Sequence, residues 1–432
     1  MPPINGSDTA WLLTSTALVL IMTPALGFFY GGMVRSKNAL NTLMMSFSAL
    51  GFVGLAWAFF GYSVAFGHSS TWCGGGEFFF LRGVGLGAQG TIPHLLFFAY
   101  QGTFAIITAA LISGAIVERM RFGPYIAFIA LWSLLVYAPI AHWVWGGGWI
   151  GKLGALDFAG GTVVHINAAA AALVCALVVG SRKDYARTAI LPQNVPFTLL
   201  GAGLLWLGWF GFNAGSALAA NKIAALAFAN TMLAPTATLV VWTILDLTRT
   251  KKATAIGAAT GIVVGLVAVT PAAGFVSPLG AIVLGGFAAL PSYYGLIWRA
   301  RTRLDDSLDV TAAHGLGGTV GALLTGVLAT KTWNGATDGL LFGNPKQLVI
   351  QAAAVGAAIL FSGLGTFVLL KLIGLVAPLR VTTRDEGMGL DVTQHGEEAY
   401  AQDEGAILVL PEVDTPSAAP AVARLEPEGG RA

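Results

Sequence analysis

Charge is what this chain has least of. Only 10% of its 432 residues are Asp, Glu, Lys or Arg, where a soluble domain carries roughly 25%. The 23 basic residues are dispersed over loop positions instead of forming a stripe, which excludes a nucleic-acid footprint. Cysteine is scarce as well. Cys73 lies in a glycine-rich stretch and Cys175 inside an apolar run, so an internal disulfide and a cysteine-held metal cluster are both excluded. The stretch before the first apolar run, near Ala10, holds Asp8 and no basic residue. A cleavable secretory signal opens on a basic segment, so this run reads as a true membrane span. The glycine runs Gly74-Gly75-Gly76 and Gly146-Gly147-Gly148 lack the following Lys-Ser/Thr of a phosphate cradle. No Ser or Cys nucleophile stands in a recognised motif and no metal-ligand triad is offered, so neither an enzyme nor a cofactor is expected.

What the chain has in excess is apolar surface: 56% of its residues are hydrophobic. Runs of about 20 apolar residues alternate with short charged loops, the pattern of an all-α polytopic membrane protein. Eleven spans are expected near 10–32, 41–66, 94–117, 122–142, 161–180, 196–215, 223–246, 254–271, 276–298, 310–329 and 347–371. The odd-numbered loops carry 13 basic residues: Arg35, Lys37, Arg119, Arg121, Arg182, Lys183, Arg187, Arg249, Lys251, Lys252, Arg299, Arg301 and Arg303. The even-numbered loops and their flanks carry five, Arg82, Lys152, Lys222, Lys331 and Lys346. Basic loops stay in the cytoplasm, so the N-terminus is expected outside and the C-terminus inside. Abundant glycine, 57 residues, suits close helix packing in a membrane. The expected organisation is an extracellular N-terminus (1–9), a transmembrane domain (10–371), a cytoplasmic regulatory tail (372–401) and a disordered end (402–432) rich in Ala, Pro and Glu.

The stretch from Asp157 to Asn167 opens span five, with an acid at the mouth and His165 eight residues deeper, about 12 Å along a helix. An ionisable group at that depth marks a functional site. His314 lies in span ten, in a matching setting. Five spans per half invert the second half relative to the first, and inverted repeats put their shared site near the midplane. Asp157 and Asp309 each precede their span, and both suit a helix cap. Three helix ends on the outer side also carry rings and a hydroxyl: Phe104, Trp145, Trp209, Phe212 and Ser216. Ring faces attract a cation by about 0.5–2 kcal/mol each.

With these motifs in this order, the chain resembles the ammonium transporter (Amt) family of the Amt/Mep/Rh superfamily over roughly residues 8–400. The resemblance is carried by Phe29 to Asn38, Gln101-Gly102-Thr103-Phe104, Val144 to Gly148, Asp157 to Asn167, Gly208 to Ser216, Val269 to Ala272, His314 to Gly318, Gly389-Leu390-Asp391 and His395-Gly396-Glu397. It implies a homotrimer of eleven-helix subunits in the cell (plasma or inner) membrane, each subunit with its own pore for ammonium, ammonia and methylammonium. It implies that Trp145, Phe104 and Ser216 form an outer recruitment site, which Asp157 shapes without touching substrate. Phe104 and Phe212 match the ring gate, His165 and His314 the pore-lining pair, and Trp209 and Thr270 pore-adjacent positions. Tyr100 stands where relatives often have Phe, and Thr311 where an aromatic residue is frequent. The resemblance also implies a PII signalling protein as a cytoplasmic partner. Opposite charges would let Asp385, Glu386, Asp391, Glu397 and Glu398 of the tail dock against the basic loops. Two other readings share the fold, a Rhesus-type ammonia/CO2 channel and an ammonium sensor (transceptor). Trp145 and Ser216 favour cation recruitment over the first, and no receiver-like or kinase-like domain follows span eleven to support the second.

Overall fold

The computed structural model describes residues 3–400; the expected disordered end, 402–432, lies outside them. Among the described residues, eleven helices form the body. They are α1 (Gly6–Met33), α2 (Ser36–Phe66), α3 (His94–Ala115), α4 (Phe122–Leu153), α5 (Gly161–Val179), α6 (Val195–Gly215), α7 (Lys222–Thr250), α8 (Ala255–Val269), α9 (Pro278–Arg299), α10 (Thr311–Leu328) and α11 (Pro345–Val376). Ten are long and apolar enough to cross a membrane, and α8 is the shorter eleventh. The expected spans thus fall on real helices with ends displaced by a few residues, except that α4 runs on past the expected 142, through a break after Val144, into a short helix Trp149–Leu153. α11 starts at Pro345, a residue suited to a first turn because it lacks an N–H that would go unpaired there. Asn5, Asn194, Asn221, Thr254 and Ser277 cap α1, α6, α7, α8 and α9 with side-chain oxygens. With eleven crossings the two ends of the body lie on opposite sides, called here the N-terminal face and the tail face.

The first helices of the two halves, α1 and α6, run against each other. Their approach depends on glycine: a Cβ at Gly211 would meet the Ser15 carbonyl oxygen at 2.8 Å. Small residues at such seams let membrane helices pack backbone to backbone. The last helices of the halves, α5 and α10, both open on π-helical turns, Gly161–Ile166 and Thr311–Leu316. These rare turns cluster at functional sites, and each one carries a histidine.

Between α2 and α3 a two-residue hairpin, β1 (Ala88–Gln89) with β2 (Ile92–Pro93), covers part of the N-terminal face. After α11 come two short helices, α12 (Thr383–Met388) and α13 (Leu390–His395). Cys73 is exposed, Cys175 is buried, and both are free.

Candidate pore site

The site starts at the mouth of α5. The carboxylate of Asp157 accepts four backbone N–H groups, from Gly160 and Gly161 at 2.9 and 2.6 Å on Oδ1 and from Thr162 and Val163 at 2.8 and 3.0 Å on Oδ2. These are the donors that a helix start leaves unpaired. Asp157 is thereby saturated from inside the fold. Its backbone carbonyl accepts the Trp145 indole N–H at 2.9 Å, which fixes that ring at the break that follows Val144 in α4.

The side chains expected at the site converge. Phe104 and Phe212 stack face to face, centroids 4.2 Å apart at 19°. Trp145 stands edge-on to Phe104 at 6.0 Å. Ser216, just past the end of α6, donates to the Phe212 carbonyl at 2.8 Å, and the Tyr100 hydroxyl lies 3.3 Å from it. Below the stacked rings, His165 is parallel to Trp209 at 5.4 Å and to Phe212 at 6.0 Å. Trp209 donates its N–H to Thr270 Oγ1 at 2.9 Å, so Thr270 orients the indole that backs the histidine.

His165 and His314 meet through their Nδ1 atoms at 3.3 Å. Such a contact needs one proton between the two nitrogens, so one ring donates and the other accepts. Both side chains are buried, 1% and 3% exposed. They line a slender cavity with Met22, Leu26, Phe29 and Val263. Its volume is about 10 Å³, room for one small molecule. Among the described residues His165 Nε2 has no hydrogen-bond partner. A buried polar atom left unpaired beside a cavity is costly unless something passing through pairs with it.

A sequence profile of the Ammonium Transporter Family matches residues 10–400. The chain belongs to the ammonium transporter family. It is 48% identical over 398 residues to the ammonium transporter of Bacillus subtilis, covering 91% of this chain and 98% of that one. It is 46% identical over 398 residues to ammonium transporter Amt1 of Archaeoglobus fulgidus, covering 92% and 100%. Among solved structures it is similar to Mep2 of Candida albicans, with TM-score 0.84, 35% identity and 88% of each chain covered. A structure named Sensor Amt Protein gives TM-score 0.85 at 30% identity, covering 90% of this chain and 98% of that one. Like other family members, the chain is a multi-pass membrane protein, and this family is one of transporters.

At the tail face of this family member two expectations need correcting, the cap of α10 and the charge pairing of the tail. Asp309 does not cap α10. Asp306 does, accepting Val310 N–H at 3.1 Å and Thr311 N–H at 2.6 Å, while Asp309 pairs with Arg299. Two of the basic loop residues, Arg119 and Arg182, are buried, 0% and 6% exposed. Arg182 binds Asp305 at 2.8 Å and Glu118 at 2.7 Å, Arg35 adds to Glu118 at 3.1 Å, and Arg119 donates to backbone carbonyls of Gly180, Ala115 and Asp305. Burial pushes the Glu118 carboxyl up, yet Arg182 and Arg35 outweigh it and hold the group below its usual range.

The tail docks, though among the described residues its acids form no ion pair with the loops. Asp391 accepts the N–H groups of Leu40 and Asn41 at 3.0 and 2.7 Å, capping the start of α2. In return Asn38 Oδ1 accepts Leu390 N–H at 2.8 Å. Glu386 pairs with Arg380 of the tail itself and accepts Lys183 N–H, and Lys37 donates to the Gly387 carbonyl at 2.5 Å. Asp306 and these backbone contacts were missed in the sequence. The one available signal was spacing, because Asp306 precedes His314 by the same eight residues that separate Asp157 from His165.

Proposed function

We propose that this chain is an ammonium transporter that strips ammonium of a proton and conducts ammonia. Ammonium is recruited among Trp145, Phe104 and Ser216 at the N-terminal face, taken as the outside of the cell or inner membrane. A bare charge at the bilayer centre costs about 3–17 kcal/mol, while two or three ring contacts return about 0.5–2 kcal/mol each. The cation therefore loses its proton before the apolar section. Neutral ammonia passes the Phe104–Phe212 stack and then His165 and His314, whose imidazoles both donate and accept.

The observation that carries this reading is the orphan His165 Nε2 in a one-molecule cavity directly beneath two stacked rings. The geometry supports Asp157 as the holder of the Trp145 carbonyl anchor and of the α5 mouth, without substrate contact. Trp209 and Thr270 support His165 from behind. Residues 10–371 form the transporter, assembled as a homotrimer with one pore per subunit, and 372–401 are the regulatory tail. A PII signalling protein binds at the tail face. The test is uptake of ammonium and methylammonium by vesicles holding the purified chain, with current recorded in parallel. Uptake that saturates and excludes potassium supports the reading; absence of uptake refutes it.

A further inference from the structure

The break in α4 is organised by a residue that the pore site does not use. His142 stands in the last helical turn before the break, three residues ahead of Trp145. Its carbonyl accepts Gly146 N–H at 3.0 Å and Gly148 N–H at 2.9 Å, so the turn that follows wraps around it. Its ring is buried, 1% exposed, and meets two more carbonyls. Nδ1 lies 2.9 Å from the Ala65 oxygen and Nε2 lies 2.8 Å from the Ser70 oxygen.

A carbonyl oxygen only accepts. A neutral imidazole has one N–H and one bare lone pair, so it satisfies one of these oxygens and sets its lone pair against the other. Both contacts are hydrogen bonds only when both nitrogens carry protons. The place suits that charge. Ala65 is in the last turn of α2 and His142 in the last turn before the break, and the carbonyl end of a helix favours a cation. The fit is close: a Cβ at Gly146 would collide with the Ala65 oxygen and come within 2.7 Å of His142 Nδ1.

The ring also holds one end of a strap. After α2 the chain crosses the N-terminal face, and three successive carbonyls there are pinned to α4. Ser70 is held by the His142 ring, Thr71 by Trp149 N–H at 3.2 Å, and Trp72 by the Trp143 indole N–H at 2.6 Å. The rings of Trp72, Trp143 and Trp149 gather over these bonds, centroids 5.8 to 6.1 Å apart. The titratable groups of the segments packed against His142 are Tyr62, His68, Cys73, Glu77, Tyr137 and Lys152. Tyr62 bonds to His94 and His68 to Glu77. Among the described residues none of the six bonds to the His142 ring.

We propose that His142 is a positioning residue for cation recruitment, a proton-held latch that ties the strap of residues 67–77 to the turn carrying Trp145. This rests on the transport reading above. With two protons the ring holds both carbonyls, and Trp145 stands edge-on to Phe104. When one N–H bond breaks and its proton passes to water, one hydrogen bond becomes two facing lone pairs. Ala65 belongs to a helix and Ser70 to the strap, so the strap is the side that lifts, and the turn under it loosens.

The test uses the full chain in vesicles, with the side facing the N-terminal face taken from about pH 5 to about pH 8. Protection of residues 67–77 against hydrogen exchange, corrected for intrinsic rate, reports the strap. Methylammonium uptake reports recruitment, and 15N spectra report the ring, with His142→Gln identifying its signal. As pH rises, the second ring proton is expected to go and strap protection to fall. Half-saturation is expected to weaken about fivefold, the worth of one net hydrogen bond, with maximal flux unchanged. His142→Gln keeps an amide donor and cannot titrate, so its half-saturation is expected to stay weak at every pH. His68→Gln removes the other titrating ring of the strap and is expected to keep the wild-type profile. Wild-type strap protection that is the same at both ends of the range overturns the proposal, whether or not His142→Gln folds. So does a wild-type pH profile of half-saturation in His142→Gln, a flat profile in His68→Gln, or a His142 ring with one proton at pH 5. A wild-type chain that takes up no methylammonium refutes the transport reading itself, while ring signals and strap protection still judge the latch.

Discussion

The two ends of the proposed pore are built from different materials. At the N-terminal face the side chains gathered above the histidines are rings, Trp145, Phe104 and Phe212, and the nearby acid, Asp157, is turned onto four backbone donors. At the tail face a cavity is lined by Arg182, Arg299, Tyr185 and Asp309, and a buried network of Glu118, Asp305, Arg182 and Arg119 lies behind it. A ring attracts a cation weakly and releases it readily, which suits selection from water. Fixed charges suit the docking of other segments. The half-repeats are alike in how they hold their histidines and unlike in what they offer to the solvent on either side.

The largest effect is expected where the halves are most alike. Asp157→Ala strands four buried N–H groups and Asp306→Ala strands two, at about 1–3 kcal/mol per buried unsatisfied group. Thermal unfolding and folded yield in detergent should both fall further for Asp157→Ala. Equal losses would break the comparison between the two caps. Next comes Arg182→Met, which leaves Glu118 and Asp305 buried without their shared partner and should cost about 3–5 kcal/mol. A wild-type unfolding temperature for that variant would show that the network does not hold the tail face together.

A smaller loss, about 1–2 kcal/mol, is expected for Asp391→Ala, which uncaps α2. Its readout is local: faster proteolysis between α11 and Tyr400 with the body intact. Unchanged protection would mean that Lys37, Asn38 and Lys183 hold the tail without it. The smallest effect belongs to the ring end. Trp145→Leu should weaken half-saturation by ammonium and methylammonium by about 1 kcal/mol. An unaltered half-saturation concentration would remove Trp145 from recruitment.

Much of this was legible in the sequence because the signals are local. Asp157, the glycines and His165 sit within one short stretch, and apolar run length alone gave the eleven helices, all but the fourth within a few residues of their ends. The rings converge because they stand at helix ends whose order follows from counting spans. What was not legible depends on geometry among equivalents. Asp305, Asp306 and Asp309 all precede α10, and only the backbone turn decides that the middle one caps the helix. Arg119 and Arg182 read only as loop residues, because the burial of an arginine depends on partners brought in by the fold, here Glu118 and Asp305. The tail acids read as partners for loop lysines and arginines, whereas Asp391 found unpaired helix N–H groups instead. The π-helical turns left no sequence signal.

The central claim is that ammonia crosses between His165 and His314. It is tested most directly by measuring ammonium uptake and potassium current in vesicles holding His165→Ala or His314→Ala, each checked for a folded, unaltered assembly. The account predicts a sharp change in ammonium flux or in its selectivity over potassium for either variant. Flux and selectivity both unchanged in both variants would contradict it.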